Sequence, residues 1–217
     1  VGQDNSYEGT MDIADLNGDN WPDVILAAGG PFGPRNVSFV MSQVEASLDL
    51  IFAFETIDIP VGFGIVDVDG DSDKDLIIAF ADHSTPTQHS VQTFVNAGGA
   101  FSAGNRIAID YPFEPRYITA GDYNDDGRQD FAALVGAMLM VSYGRGGGAF
   151  TPATYYAVSN ANLLFSADVN HDNKLDILVL TTQYSDRNSV SVLENLGNAG
   201  FRAPQATPWG PTFIDAA

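Results

Sequence analysis

Residues 64–78 read GIVDVDGDSDKDLII, and five aspartates occupy every second position from Asp67 to Asp75 before an apolar run begins. Like charges at this spacing repel one another, and Lys74 is the single basic residue among them. Alternate side chains converge when the backbone curls around a point, and a cation placed there turns the repulsion into attraction. The stretch therefore predicts a loop that closes around a hard cation and then enters a β-strand.

The same pattern occurs four times, and each copy reads D-x-[DN]-x-D-x-x-x-D followed by an apolar run. The copies are DLNGDNWPDVIL from residue 15, DVDGDSDKDLII from 67, DYNDDGRQDFAAL from 122 and DVNHDNKLDILVL from 168, at intervals of 52, 55 and 46 residues. We name the nine-residue loops L1 (15–23), L2 (67–75), L3 (122–130) and L4 (168–176). A glycine-rich turn that ends in phenylalanine follows each of the last three loops, at Phe101, Phe150 and Phe201. This second marker indicates a hairpin in each repeat, and the first repeat, which lacks it, is expected to have a longer or irregular one.

Repeats of 40–50 residues with about four strands each are typical of β-propeller blades. We therefore predict an all-β fold, a β-propeller of four-stranded antiparallel blades, with repeats at 8–59, 60–114, 115–161 and 162–208. Residues 209–217 resemble the segment that precedes each loop, so we expect them to start a further blade. On this interpretation residues 1–217 are a single propeller domain or a fragment of one. Neighbouring blades must stack, since one blade cannot bury both of its faces.

The composition narrows the classes of partner. The 217 residues carry 28 acidic and 9 basic side chains, a net charge of −19, which disfavours binding to nucleic acid or to an anionic membrane. The chain has no cysteine, so disulfides and thiol catalysis are excluded. No apolar run is long enough to span a bilayer, and we expect no membrane insertion. We expect a secreted or cell-surface protein.

Oxygen ligands at positions 1, 3, 5 and 9 of each loop, with a backbone carbonyl at position 7, suit a hard divalent cation. The predicted side-chain ligands are Asp15, Asn17, Asp19, Asp23, Asp67, Asp69, Asp71, Asp75, Asp122, Asn124, Asp126, Asp130, Asp168, Asn170, Asp172 and Asp176. Position 7 is Trp21, Asp73, Arg128 or Lys174, a variety that suits a carbonyl ligand. Without thiols, and with little room for retained water, Ca²⁺ is favoured over zinc and magnesium, with up to four ions in all.

Two other structures could place acidic residues at this spacing. An EF-hand loop requires a bidentate Glu at position 12 and flanking helices. Here position 12 is apolar and lies in a strand-like run in every copy, as Leu26, Ile78, Ala133 and Val179. An ordinary EF-hand is therefore excluded. The other alternative, acidic surface turns that hold no ion, is disfavoured because turns do not require four oxygens at fixed spacing. L4, which has His171 and no glycine, is expected to bind more weakly.

On these motifs the chain resembles the FG-GAP/VCBS repeat family, the calcium-loop propeller repeats of integrin α-subunits and many secreted proteins. The FG pair is Phe63–Gly64, and DVILAAGGP from residue 23 is similar to the family's segment after the loop. The resemblance implies a calcium loop between the first two strands of each blade. It also implies about seven blades in a complete propeller, so the remaining blades or a second copy would be partners of this chain.

Three functions are compatible with the sequence. The first, which we favour, is a binding or adhesion module for a glycan or an extracellular protein, with structural calcium. Long polar inserts at 31–36, 82–90 and 181–189 each follow a second strand and should emerge on one common face. Aromatic side chains could stack on sugars, although packing between blades is the expected role for most of them; these are Tyr111, Tyr155, Tyr156, Tyr184 and Trp209.

The second function is a carbohydrate-active enzyme such as a propeller polysaccharide lyase. No nucleophile or metalloprotease motif occurs, and His83 and His89 are expected to be solvated rather than catalytic. Acid/base work by paired carboxylates stays open, so the sequence leaves enzymatic activity undecided; we assign no catalytic residue and favour a binding role over an enzymatic one. The third function is architectural, as a subunit of an extracellular fibre. The sequon at Asn36 permits glycosylation.

Overall fold

The computed structural model describes residues 10–28, 36–43, 47–56, 58–82, 89–109, 111–158, 161–181, 189–197 and 200–208. In this part of the chain, eighteen β-strands form four four-stranded antiparallel sheets and one two-stranded ribbon, and there is no α-helix. The all-β prediction is confirmed. The four sheets do not close into a ring, so the number of blades stays a prediction.

The strands of each sheet are consecutive in the chain, apart from the ribbon. The first sheet contains β1 (Thr10–Ala14), β2 (Asp23–Ala28), β3 (Asn36–Gln43) and β4 (Ser47–Glu55). The second contains β5 (Ile59–Val66), β6 (Asp75–Ala81), β7 (His89–Ala97) and β8 (Ala100–Ile109). The third contains β9 (Pro115–Gly121), β10 (Asp130–Val135), β11 (Met138–Ser142) and β14 (Thr154–Ala157), and the ribbon is β12 (Gly144–Gly146) with β13 (Ala149–Phe150). The fourth contains β15 (Ala161–Ala167), β16 (Asp176–Thr181), β17 (Ser189–Leu193) and β18 (Gln205–Pro208).

The second strand of each inner sheet is buried on both faces. Every residue of β6 and of β10 is buried. Successive side chains of a strand point to opposite faces, so both faces of these sheets need apolar residues. This is why DLIIAFA and DFAALV read as continuous apolar runs rather than as alternating ones.

Three apolar cores separate the four sheets. Between the first and second sheets, Ile25 meets Leu76 and Ile78. Between the second and third, Ile77 of the opposite face of β6 packs with Phe131. The third core, between the third and fourth sheets, contains Ala132, Leu134, Leu139, Val141, Leu164, Ile177, Val179, Leu193 and Phe201. The sheets therefore stack face to face, in the manner predicted for neighbouring blades.

The two outer sheets each leave one apolar face uncovered by the described residues. On the first sheet, Met11 pairs with Leu26 and both side chains are exposed, as is Ile13. On the fourth sheet, Phe165 is exposed opposite the half-buried Leu178. Because β2 and β16 are covered on one side only, their burial is not continuous as it is in β6 and β10.

Strand order places two kinds of connection at opposite edges of the stack. L1 to L4 each join the first and second strands of a sheet, so they lie together at one edge. The connections between second and third strands lie at the other edge, together with the segments that join one sheet to the next. The three polar inserts occupy these positions, although most of their residues fall outside the described ranges, as do residues 44–46 of the first hairpin. No helix in the described ranges has the length and apolar character needed to cross a membrane.

Candidate metal centre

Each acidic loop curls because positions 4 and 6 both adopt a left-handed backbone conformation. These residues are Gly18 and Asn20, Gly70 and Ser72, Asp125 and Gly127, and His171 and Asn173, with φ between 61° and 89°. Glycine adopts this conformation without steric cost, and Asn and Asp tolerate it better than other residues. L4 reaches the same curl with His171, which carries a Cβ. This alternation of left-handed positions was not predicted from the sequence, although the frequency of Gly, Asn and Asp at positions 4 and 6 is its signal.

The carboxylate at position 1 holds the curl by accepting amide hydrogens from within its own loop. In L2 the amide of Gly70 donates to Oδ1 of Asp67 at 2.7 Å, and the amide of Ser72 donates to Oδ2 at 2.9 Å. In L2 the donors are thus at positions 4 and 6, and in the other three loops the equivalent carboxylate accepts the amides of positions 5 and 6. Position 1 therefore lies at the centre of every loop.

Positions 3 and 5 turn their oxygens toward the same region. In every loop the amide at position 5 donates to the side chain at position 3, and the amide at position 7 donates to the side chain at position 5. In L1 the Asn17 amide group also contacts Asp19, with 3.2 Å between Nδ2 and Oδ2. The side chains at positions 3 and 5 therefore accept amides of their own loop in the same pattern in all four copies.

The carboxylates of L2 form a group that fits a cation. One oxygen each of Asp67, Asp69 and Asp71 lies within 4.8 Å of the others. Burial, together with the like charges of Asp71 and Asp67, raises the pKa of Asp69 above its usual value. Three negative oxygens this close destabilise one another unless a positive charge lies between them, so the donor set fits Ca²⁺.

The aspartate at position 9 has a different environment from the other predicted ligands. Asp23, Asp75, Asp130 and Asp176 are buried, and Oδ2 of each accepts the backbone amide of position 2 of its own loop. Oδ1 of the last three accepts a second amide, from Asn96, Gly144 and Asn195. Burial raises the pKa of Asp75 and raises that of Asp130 to about 6, although the two amides act in the opposite direction. Each of these three carboxylates therefore ties its loop to the turn between the third and fourth strands, or to the ribbon that replaces that turn.

The side chains at position 7 point to different partners. Trp21 is exposed, and Oδ2 of Asp73 accepts the amide of Gly98 at 2.9 Å. Arg128 and Lys174 each form an ion pair with the position 5 carboxylate of their own loop. Desolvation by itself would raise the pKa of Asp172, but the backbone amide and the ammonium group of Lys174 together lower it below its usual value. None of these four side chains adds an oxygen ligand to the side chains at positions 1, 3 and 5 of its loop. A backbone carbonyl ligand at position 7 stays a prediction.

The structure places three of the five aromatic candidates for sugar stacking in packed positions. Tyr111 and Tyr155 stack on each other, with ring centroids 6.0 Å apart, and pack against the second core. Tyr156 packs against the third core and contacts Phe201 edge to face. Tyr184 and Trp209 lie outside the described residues, as does His83. The expectation that His89 is solvated is wrong, since it is buried and its Nδ1 accepts the amide of Asp82.

Comparison with known proteins gives a family match and a structural likeness. Residues 67–133, which contain L2 and L3, match the FG-GAP-like repeat model. No curated protein matches the sequence. The structure of an Agrocybe aegerita lectin, determined for its specific recognition of non-reducing terminal N-acetylglucosamine, matches with a TM-score of 0.50 and 16% identity. The match covers 92% of this chain and 66% of the lectin chain, so this chain spans slightly less than two thirds of the lectin's length. The likeness supports the all-β fold, and residues 67–133 carry an FG-GAP-like repeat, which supports the resemblance to that repeat family.

Proposed function

We propose that this chain is a secreted, calcium-stabilised binding module that recognises a glycan through the edge of the sheet stack opposite its acidic loops. The observation that carries the calcium part is the convergence of Asp67, Asp69 and Asp71, whose oxygens lie within 4.8 Å of one another. A bound ion would neutralise these carboxylates and hold the curl of the loop. The same hydrogen-bond pattern in L1, L3 and L4 extends the proposal to four ions.

The carboxylates of the loops are poorly placed for catalysis, which favours binding over an enzymatic role. General acid/base work needs a carboxyl group within reach of a substrate proton. At position 9, Asp75, Asp130 and Asp176 are buried, and both oxygens of each already accept backbone amides. At position 1 the carboxylates are likewise occupied by loop amides. We therefore assign these groups to structure and to metal binding.

An exposed aromatic ring marks the proposed ligand edge. Phe113 lies in the segment between β8 and β9 and is 54% exposed, with its ring centroid 5.7 Å from that of Tyr111. The tight turn between β10 and β11 lies against it, because a Cβ at Gly136 would approach Cγ of Phe113 to 2.8 Å. Aromatic rings with one free face can stack on the apolar face of a sugar. The strands that flank the three polar inserts meet those inserts at the same edge of the stack.

A second exposed ring at this edge is strained. Tyr117 is the extra residue of a β-bulge in β9, between Arg116, which pairs with Leu134, and Ile118, which pairs with Ala133. Its φ is 45°, and its side chain is exposed. A bulky residue rarely adopts a left-handed conformation, and such strain is concentrated at functional sites. We propose Phe113 and Tyr117 as ligand contacts. The lectin likeness makes terminal N-acetylglucosamine the first sugar to test.

The calcium part is tested by thermal unfolding of the purified chain with excess Ca²⁺ and with a chelator. One ion at a hundred times its Kd stabilises the fold by about 2.7 kcal/mol. Asp71→Ala should lose part of the calcium-dependent shift in Tm, while Asp12→Ala, which removes an exposed carboxylate of β1 outside the loops, should keep all of it. Identical melting curves with calcium and with chelator would contradict the proposal.

The glycan part is tested by titrating a calcium-loaded sample with oligosaccharides that end in N-acetylglucosamine. Covering an aromatic side chain is worth about 1.5–3 kcal/mol, so Phe113→Ala should weaken binding roughly tenfold or more. Phe165→Ala is the matched control, because Phe165 has a similar exposure, 56%, but lies on the uncovered face of the fourth sheet. An equal loss of affinity in both variants, or no binding by the unmodified chain, would count against the proposed surface.

A further inference from the structure

Two buried asparagines join neighbouring acidic loops across the sheet boundaries. Nδ2 of Asn96, in the second sheet, donates to the carbonyl of Leu16 in L1 at 2.6 Å and to the carbonyl of Lys74 in L2 at 3.0 Å. Nδ2 of Asn195, in the fourth sheet, donates to the carbonyl of Tyr123 in L3 at 2.8 Å. It also donates to the carbonyl of Leu175 in L4 at 3.0 Å. Each amide group thus bridges position 2 of one loop and position 8 of the next.

The remaining polar groups of these asparagines are also occupied by the loop system. The backbone amide of Asn96 donates to Asp75 at position 9 of L2, and Oδ1 of Asn96 accepts the amide of Gly99. Asn195 makes the same contacts with Asp176 and Gly197. Asn96 is 0% exposed and Asn195 2% exposed. Buried amides with every partner in place hold their surroundings in one arrangement, because each lost hydrogen bond would leave an unsatisfied group.

The boundary between the second and third sheets lacks the asparagine. Gly144 replaces it, and its amide still donates to Asp130, but a Cβ there would overlap the carbonyl oxygen of Gln129. The carbonyl of Val68, at position 2 of L2, instead accepts the backbone amide of Gly148 at 3.3 Å. The hydrogen bond between L2 and the third sheet therefore joins backbone atoms, whereas the other two links depend on asparagine side chains that can be substituted.

The bridged carbonyls belong to the peptide units that orient the predicted ligands. The Leu16 carbonyl lies in the peptide that leads into Asn17, and the Lys74 carbonyl lies in the peptide that leads into Asp75. An ion that fixed one loop would also fix the asparagine bonded to it, and the asparagine would then restrict the neighbouring loop before its own ion arrived. A second ligand that binds an already ordered site loses less conformational entropy, which produces positive cooperativity.

We propose that Asn96 and Asn195 are positioning residues that couple neighbouring calcium loops, L1 with L2 and L3 with L4. An ion in one loop of a pair raises the affinity of the other, and the effect is reciprocal because binding free energies are linked. This inference rests on the proposed calcium function, and it names the two side chains that link the sites of each pair.

Trp21 makes the coupling measurable, because it occupies position 7 of L1 and the chain has only two tryptophans. In a Trp209→Phe background, terbium luminescence excited through Trp21 reports occupancy of L1 by a calcium substitute. Four proteins form a thermodynamic cycle: the background, Asp71→Ala, Asn96→Ala and the double variant. Coupling energies between sites correspond to about fivefold or more in affinity. Asp71→Ala should therefore raise the terbium midpoint of L1 about fivefold when Asn96 is present and leave it unshifted in the Asn96→Ala protein.

One control variant and two contradicting outcomes complete the test of coupling between L1 and L2. Asn195→Ala removes the equivalent amide from the other pair and should not change the effect of Asp71→Ala on L1. If the Asp71→Ala shift is absent, or is equally large with and without the Asn96 side chain, the coupling is refuted while the calcium function survives. If the background protein shows neither terbium emission nor a calcium-dependent Tm, the calcium function fails and the coupling fails with it.

A second cycle applies if circular dichroism shows that Asn96→Ala does not fold. Arg128→Trp, in a background without Trp21 and Trp209, moves the reporter to position 7 of L3. Asp172→Ala then removes a ligand of L4, and Asn195→Ala removes the link. We expect Asp172→Ala to raise the terbium midpoint of L3 when Asn195 is present and to leave it unchanged in the Asn195→Ala protein. Equal shifts of the midpoint with and without Asn195 would overturn the proposal.

Discussion

The backbone amide of Val68 donates a 2.7 Å hydrogen bond to Oδ2 of Asp75, seven residues further along L2. The amide of Asn96 donates to the other oxygen of the same carboxylate at 2.8 Å. Asp75 therefore closes its loop and ties it to the next hairpin whether or not an ion is bound. The exposed Asp71 lies in the same loop but belongs to the carboxylate group that faces the proposed ion.

This difference predicts opposite responses to amide substitution. Asp75→Asn places an NH₂ group against one of two backbone amides, and the lost hydrogen bond should lower the free energy of unfolding by about 1–3 kcal/mol even in chelator. Asp71→Asn should leave the stability in chelator nearly unchanged and reduce the gain on adding Ca²⁺. Urea unfolding of both variants, with and without chelator, measures this. An Asp75→Asn protein as stable as the unmodified chain in chelator would contradict the structural role of position 9.

The left-handed conformation of His171 predicts a stabilising substitution. Its φ is 62°, a region that costs an L-residue roughly 1–2 kcal/mol and costs glycine nothing. His171→Gly should therefore raise the free energy of unfolding by about 0.5–1 kcal/mol, after allowing for the greater entropy of glycine in the unfolded chain. His171→Ala is the control, because it removes the imidazole but keeps the Cβ and should give no gain. Equal stabilities of the Gly and Ala variants would show that the backbone conformation is not the cause.

Two glycines that look alike in the sequence should respond differently to alanine. At Gly144 a Cβ would overlap the backbone oxygen of Gln129, which cannot move without breaking L3. At Gly64, the glycine of the FG pair, the nearest heavy atom to a new Cβ is Cγ2 of Ile118, 3.8 Å away. We expect Gly144→Ala to destabilise the fold by about 1–3 kcal/mol and Gly64→Ala to be neutral or slightly stabilising. Thermal unfolding of the two variants, side by side, tests the pair, and a larger cost at Gly64 would contradict the packing described.

The uncovered faces of the outer sheets predict self-association of residues 1–217. Large exposed apolar patches on soluble proteins mark interaction surfaces, and Phe165 is the most exposed aromatic side chain on the face of the fourth sheet. Sedimentation velocity at physiological salt should show dimers or larger species in the micromolar range. Phe165→Asp should shift the population toward monomer, and Phe113→Asp, at a similarly exposed position on the proposed ligand edge, should not. A chain that stays monomeric at high concentration would disprove this prediction.

Local spacing was sufficient to predict much of the fold. The recurring D-x-[DN]-x-D-x-x-x-D pattern indicates both a repeat and a curled loop, since the alternation of acidic positions and the entry into a strand are properties of neighbouring residues. The continuous apolar run of β6 likewise predicts a strand covered on both faces, because a period of two sends Ile77 and Ile78 to opposite sides.

Other features depend on contacts between residues distant in sequence. Spacing groups Asp75 with the metal ligands, whereas the tertiary structure surrounds its carboxylate with two amides, one of them from Asn96. His89 lies in a polar segment of the sequence, yet the folded sheet buries it. Neither outcome can be read from composition, because burial and hydrogen-bond partners are set by which sheet packs above a residue.

The sequence by itself determined that the chain is all-β, that it repeats, and that four loops gather acidic side chains, because these properties follow from residues within one or two turns of each other. Only the tertiary structure decided that Asn96 reaches Leu16, 80 positions earlier in the chain, and that Asn195 reaches Tyr123, 72 positions earlier. The physical reason is that such hydrogen bonds form only after separate sheets have packed face to face, and the pattern of any single repeat does not encode the distance to its neighbour.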